Sequence, residues 1–91
     1  MANPVFTVRL SRQAKRALTT DLPEVVAAAC YEFIYGPLAG NPHRVGKQLN
    51  PPLWPAYSAR RGEFRILYEI HDHELIIYVI TIQHRRDAYR T

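Results

Sequence analysis

The chain is short of cysteine, of acidic residues and of long apolar runs, and each shortage excludes something. One cysteine, Cys30, in 91 residues excludes an internal disulfide framework and any zinc site built on cysteines. No apolar run approaches the ~20 residues of a membrane-spanning helix. The opening MANPVFTVRL lacks the apolar stretch of a secretory signal, so the expected location is the cytoplasm. Acidic side chains number eight against twelve Lys and Arg, which leaves a net charge of +4.

What is present is an ordinary globular balance, 47% apolar and 22% charged, enough to exclude a wholly disordered chain. A chain this long buries only about two-thirds of its unfolded surface, so one modest core is the ceiling. The expectation is a single domain over residues 1–91. Ten of the twelve basic residues are arginine. Guanidinium is a planar, bidentate, permanently charged partner for phosphate, so this excess points to an anionic ligand, with plain solubility charge as the alternative.

Residues 4–10 read as a first strand, with Phe6, Val8 and Leu10 alternating against Thr7 and Arg9. Ser11 offers a cap for a short helix over 12–18, which Thr19-Thr20 should break. Asp21 and Glu24 have the capping-box spacing, with Pro23 in the first turn of a second helix. Leu22, Val25, Val26, Ala29 and Phe33 form its apolar stripe, and Gly36-Pro37 should stop it. Prolines and glycines at 37, 40, 42, 46, 51 and 52 exclude a long helix or a central strand from that stretch. Strands follow at 53–60, 64–71 and 75–83, joined by turns at Arg61-Gly62-Glu63 and Asp72-His73. The last strand is apolar almost throughout, as one buried on both faces would be. This order predicts an α+β fold: two N-terminal helices after a first strand, packed on an antiparallel sheet of about four strands.

The hairpin gathers the basic residues. Arg60, Arg61 and Arg65 surround the entry to one strand, and His84, Arg85 and Arg86 follow the exit of the next. A turn centred between Asp72 and His73 would set Arg65 opposite Ile80 and Arg60 opposite Arg85. Like charges gathered at one sheet end repel unless an anion joins them, and a phosphate would do so. Tyr89, after the strand, is a stacking platform for an unpaired base, a phenol placed for proton transfer, or a ring folded back on the core. Arg65 has a structural alternative in pairing with Glu63 or Glu69, and Lys47 one in plain solvent charge. His84 could act as acid or base, or be a polar strand end. His71-Asp72-His73 reads as a turn rather than a metal motif, Cys30 as a helix residue without a partnered base, and Trp54 as a packing residue.

Several segments together resemble a known family. They are Gly46-Lys47-Gln48-Leu49, Leu53-Trp54, the run from Arg60 through Tyr68 (RRGEFRILY), and His84-Arg85-Arg86-Asp87-Ala88-Tyr89. In order and spacing they are similar to the RelE/ParE superfamily of toxins from type II toxin–antitoxin modules, and to its RelE branch. The resemblance implies a metal-independent endoribonuclease that needs no cofactor and cuts mRNA in the ribosomal A site. In that reaction the 2′-hydroxyl attacks the adjacent phosphate and the 5′-oxygen leaves. It implies a cognate antitoxin as partner, an oligomeric toxin–antitoxin complex, and no membrane association. Carried over by position, Arg65 and Arg85 match arginines that contact the scissile phosphate. Tyr89 matches a tyrosine that stacks on or deprotonates the substrate, and His84 a position held by acid–base residues. Arg60 matches a basic residue on the RNA side, and Arg61, Lys47 and Arg86 are further candidates for RNA binding. The sequence departs from the pattern at Pro55-Ala56-Tyr57-Ser58, where the best-studied members carry a lysine pair, and at Gln83, often glycine. That leaves the general base open. The ParE branch implies the alternative, a non-nuclease inhibitor of DNA gyrase.

Overall fold

The computed structural model describes residues 5–84 and Arg86. The longest apolar run becomes the longest strand, β5 (Ile76–His84), with a neighbour on each side: β1 (Thr7–Leu10) and β4 (Phe64–His71). β3 (Tyr57–Arg61) and β2 (Lys47–Gln48) complete a sheet of order β1-β5-β4-β3-β2. The α+β class and the helices after the first strand are as expected. The sheet differs in two ways: it has five strands, and β1 runs parallel to β5. Both differences have physical reasons. β2 is two residues long, too short for any periodicity to reveal. β1 and β5 are joined through the whole chain, so no hairpin dictates their relative direction.

The helices differ at their ends. α1 (Arg12–Arg16) is capped by Ser11, whose Oγ accepts from Ala14 N at 3.0 Å. It runs on through a wider helical turn, Ala17–Asp21. Thr19 does not break it, because its hydroxyl donates back to the Lys15 carbonyl at 2.8 Å. α2 (Glu24–Phe33) begins at Pro23, with no side-chain cap. The Asp21 capping box is therefore not formed: Asp21 lies in the preceding turn, 3.7 Å from Arg16. Gly36-Pro37 does not stop α2 either, because a wide turn over Ile34–Leu38 carries the helix past it. A short α3 (Pro42–Val45) then leads into β2.

One face of the sheet meets the helices. Ala14, Ala17, Cys30, Ile34 and Leu38 pack against Ala59, Ile66, Tyr68, Ile77, Val79 and Ile82, all almost fully buried. The other face of β5 stays open to solvent at Tyr78, so the strand is interior to the sheet without being covered on both sides. Trp54 is not a packing residue either, being 60% exposed.

The β4–β5 register shifts between Leu67 and Tyr68, leaving Ile80 as an extra residue in β5. β1 ends alongside Val79, so β5 would show bare backbone beyond that point. α1 covers it: Ser11 Oγ donates to the Ile80 carbonyl, and the Gln13 amide exchanges two hydrogen bonds with the Ile82 backbone, at 3.2 and 3.0 Å. The turn between β4 and β5 is a helical turn at Asp72–Glu74 ending on Leu75 at φ 53. This longer turn and the bulge change the expected pairing. Arg65 lies opposite Gln83 rather than Ile80, while Arg60 lies opposite Arg65 rather than Arg85 because the Gly62-Glu63 turn leaves it in β3.

Candidate functional site

Strand pleating sends alternate residues to opposite faces. In β4, Phe64, Ile66, Tyr68 and Ile70 face the helices, and Arg65, Leu67, Glu69 and His71 face outward. In β3, Ala59 turns inward, while Ser58 and Arg60 turn outward. The outward residues at the β3 edge enclose a cleft of about 310 Å³ lined by Lys47, Leu49, Ser58, Arg60 and Arg65. Arg60 and Arg65 are direct cross-strand partners, and Lys47 pairs with Ser58. Cβ atoms of such partners lie about 4.5–5.5 Å apart, close enough for one phosphate to meet several cations. None of these lining residues carries a carboxylate.

Lys47 reaches this cleft because the segment before it is pinned from below. The Tyr68 hydroxyl donates to the Pro42 carbonyl at 2.6 Å, and its ring stacks on Tyr57. A Cβ at position 46 would collide with that hydroxyl, so only glycine fits there. Burial, and then the neighbouring Tyr57 phenol, push the Tyr68 phenol well above its ordinary range. Farther out, His43 sits 2.7 Å from Asp72 and 3.3 Å from the Tyr57 hydroxyl, tying α3 to the β4–β5 turn.

The structure therefore brings together three of the residues singled out by sequence: Lys47, Arg60 and Arg65. It separates others from them. Arg61 turns to the helix side and lines an apolar groove with Val26, Ala29 and Cys30. Its charge opposes the effect of burial, which is the larger and raises the Cys30 thiol above its ordinary range. A buried, protonated thiol is a poor nucleophile. His84 pairs with Phe64 on the helix side, edge-on to its ring at 5.3 Å and 3.8 Å from Glu63. Its Nδ1 accepts from Arg86 N at 3.1 Å, so the proton of the neutral ring sits on Nε2. The Arg86 side chain belongs to an exposed residue just past β5. Arg85 and Tyr89 lie outside the described residues. Ser58 and Leu49 were missed by the sequence reading. The strand alternation that puts Ser58 two residues before Arg60 was the available signal, obscured by starting that strand at 53.

No group of three or more metal-ligating side chains occurs among the described residues, and no helix among them is long and apolar enough to cross a membrane.

Comparison with known proteins places this geometry in context. Residues 8–89 match the family model described as the ParE toxin of the type II toxin–antitoxin system parDE. The chain is 45% identical over 85 residues to Toxin RelE of Mycobacterium tuberculosis, covering 93% of this chain and 87% of that protein. It is 42% identical to Toxin RelG of the same organism, covering 93% and 97%. Among solved structures, it is similar to the M. tuberculosis RelBE2 toxin–antitoxin complex with a TM-score of 0.84 and 41% identity, over 91% of this chain and 94% of that one. The isolated E. coli RelE toxin shares the fold at a TM-score of 0.69 and 15% identity, over 87% and 83%.

Proposed function

We propose, from the premise that this chain belongs to the ParE toxin family of type II toxin–antitoxin systems and is a toxin of the RelE kind, that it is a metal-independent endoribonuclease. It cleaves mRNA in the ribosomal A site, in the cytoplasm, and is neutralised by a cognate antitoxin in an oligomeric complex. The single observation that carries this reading is the outward cleft where Lys47, Arg60 and Arg65 converge.

The chemistry is a transesterification. The 2′-oxygen attacks the neighbouring phosphorus and gives its proton to a base. The bond from phosphorus to the 5′-oxygen breaks, and that oxygen takes a proton from an acid. The products are a 2′,3′-cyclic phosphate and a 5′-hydroxyl. Charge develops on the phosphorane oxygens, and preorganised cations stabilise it there. Arg60 and Arg65 serve as those cations, their planar forks suited to two phosphate oxygens each. Lys47 carries a charge and a transferable proton, which suits it to the leaving 5′-oxygen. Standing beside the short Ser58, it fills with an amine the place where the sequence lacks a strand lysine. By resemblance, Arg85 adds a further cation and Tyr89 stacks on or deprotonates the substrate. His84 is left out, since it turns away from the cleft. Arg61 is left out for the same reason.

The test is induced expression with transcript 5′ ends mapped, beside an Arg60→Ala Arg65→Ala variant. New cuts within translated codons, absent in the variant, are expected. The family description names a ParE toxin, so gyrase inhibition is the second reading. Growth arrest with DNA damage and no such cuts would favour it.

A further inference from the structure

The outward face of the sheet does not end at the cationic cleft. Beyond it, Leu67 and Thr81 pair across β4 and β5, and then comes a row formed by three strands. Arg9 of β1 pairs with Tyr78 of β5, and Tyr78 pairs with Glu69 of β4. Tyr78 is thus flanked by a guanidinium on one side and a carboxylate on the other, each one strand spacing of about 4.8 Å away. Tyr78 is 37% exposed, on the face of β5 that no helix covers. Around the row is a second cavity of about 400 Å³, to which His71, Ile76 and a second carboxylate, Glu74, also contribute. That volume falls within the range of about 300–1,000 Å³ typical of small-ligand sites. His71 Nε2 lies 3.4 Å from a Glu69 oxygen, which helps hold the carboxylate in place.

We infer that this row is a base-binding subsite for a nucleotide flanking the one that is cut. The inference rests on the RNase reading and extends it along the same face. Four residues of β4 separate Arg65 from Glu69, about 13 Å at ~3.3 Å per residue. A single strand whose phosphate lies at Arg65 therefore reaches Tyr78 within a few nucleotides. Every base has a flat π face, and an exposed ring on a sheet is the usual platform for it. Arg9 serves the adjoining phosphate or extends the stack. Glu69 accepts hydrogen bonds from the edge of the stacked base. A carboxylate takes two parallel N–H donors best. Of the four RNA bases, guanine alone presents two such donors side by side on its pairing edge, so guanine is the preferred occupant.

Binding is measured by fluorescence anisotropy, with the full chain and single-stranded RNA carrying a 2′-deoxy sugar at each position in turn to block cleavage. The base flanking the blocked position is varied. Tyr78→Ala is expected to weaken binding about tenfold for all sequences. Glu69→Gln is expected to reduce the preference for guanine at one flanking position by about tenfold. Thermal melts and antitoxin binding report whether the variants fold. Wild-type binding that neither variant changes, in affinity or in preference, overturns the subsite alone. So does a Tyr78→Ala variant that keeps RNA binding but loses the antitoxin, because the row is then a protein interface. A wild-type chain that binds no RNA, with or without ribosomes, overturns the RNase reading beneath it.

Discussion

The two faces of one sheet obey different rules, although the same strands build both. Neighbouring residues of β4 show it: Ile66 and Tyr68 have no exposed surface, while Arg65 and Glu69 on either side of them line open cavities. On the helix side, stability depends on filled volume, because a packed interior cannot relax around a missing group. On the open side, three basic side chains share one solvent-facing cleft, where their shape constrains the fold far less than volume does in the core. Stability and function are thus divided by the pleat, residue by residue. Changes on one side should leave the other nearly untouched.

The strongest way to break the helix side is to empty it. Ile66→Ala should cost about 2–5 kcal/mol, read as a lower urea midpoint with little change in slope. A loss below ~1 kcal/mol would mean that the helices close over the gap. The matching change on the open side is Arg65→Ala. It should lower cleavage by about 10²–10³-fold, the scale seen when one preorganised charge donor is removed. Its melting temperature should stay near wild type, and a large drop there would make Arg65 part of the fold instead.

Gly46→Ala joins the two faces. The new methyl meets the buried Tyr68 hydroxyl and the carbonyl of Ser58, the cross-strand partner of Lys47. A loss of about 1–3 kcal/mol is expected from overpacking, together with reduced cleavage. Pairing it with Tyr68→Phe, which removes the colliding oxygen, should recover part of the stability in a double-mutant cycle. If the two losses simply add, the collision is not what makes glycine necessary.

The smallest effect is a pH dependence confined to the helix side. Tyr68 is held neutral by burial, so its folded pKa is raised above the value in the unfolded chain. The unfolded chain releases that proton at about pH 10 and the folded chain does not. The contribution is complete below pH ~10 and is lost as pH rises beyond it. Alkaline melts should show this decline in the wild type, and a shallower one in Tyr68→Phe. Equal slopes in both would assign the decline to other tyrosines.

Much of the site was legible because its residues sit on strands with clean alternation. The sequence placed Arg60 and Arg65 in one basic cluster but set Arg60 opposite Arg85; the two-residue turn in which Gly62 takes φ +60 pairs it with Arg65 instead. Lys47 was readable only as a member of a motif, because the two-residue β2 leaves no pattern of its own. The turn of His84 to the helix side has a local cause. One bulge at Ile80 shifts every later residue of β5 against β4, and a side-chain count from the turn cannot detect an extra residue inside a strand. Arg61 follows Arg60 directly, and neighbouring positions on a strand must face opposite ways. That separation was available from the period alone, even though the cluster of charges hid it.

The sequence by itself determined the class of fold, four of the five strands, the two N-terminal helices, the excess of arginine and the order of the motifs. Those follow from local periodicity, turn chemistry and composition, which need no distant partner. The tertiary structure alone decided that β1 joins β5 in parallel, that α1 seals the bulged end of β5, and that Lys47 stands over Ser58. It also set Arg9, Tyr78 and Glu69 in one row. Each of these depends on residues far apart in the chain, brought together by burying a shared core, and no local pattern encodes which edge strand lies against which.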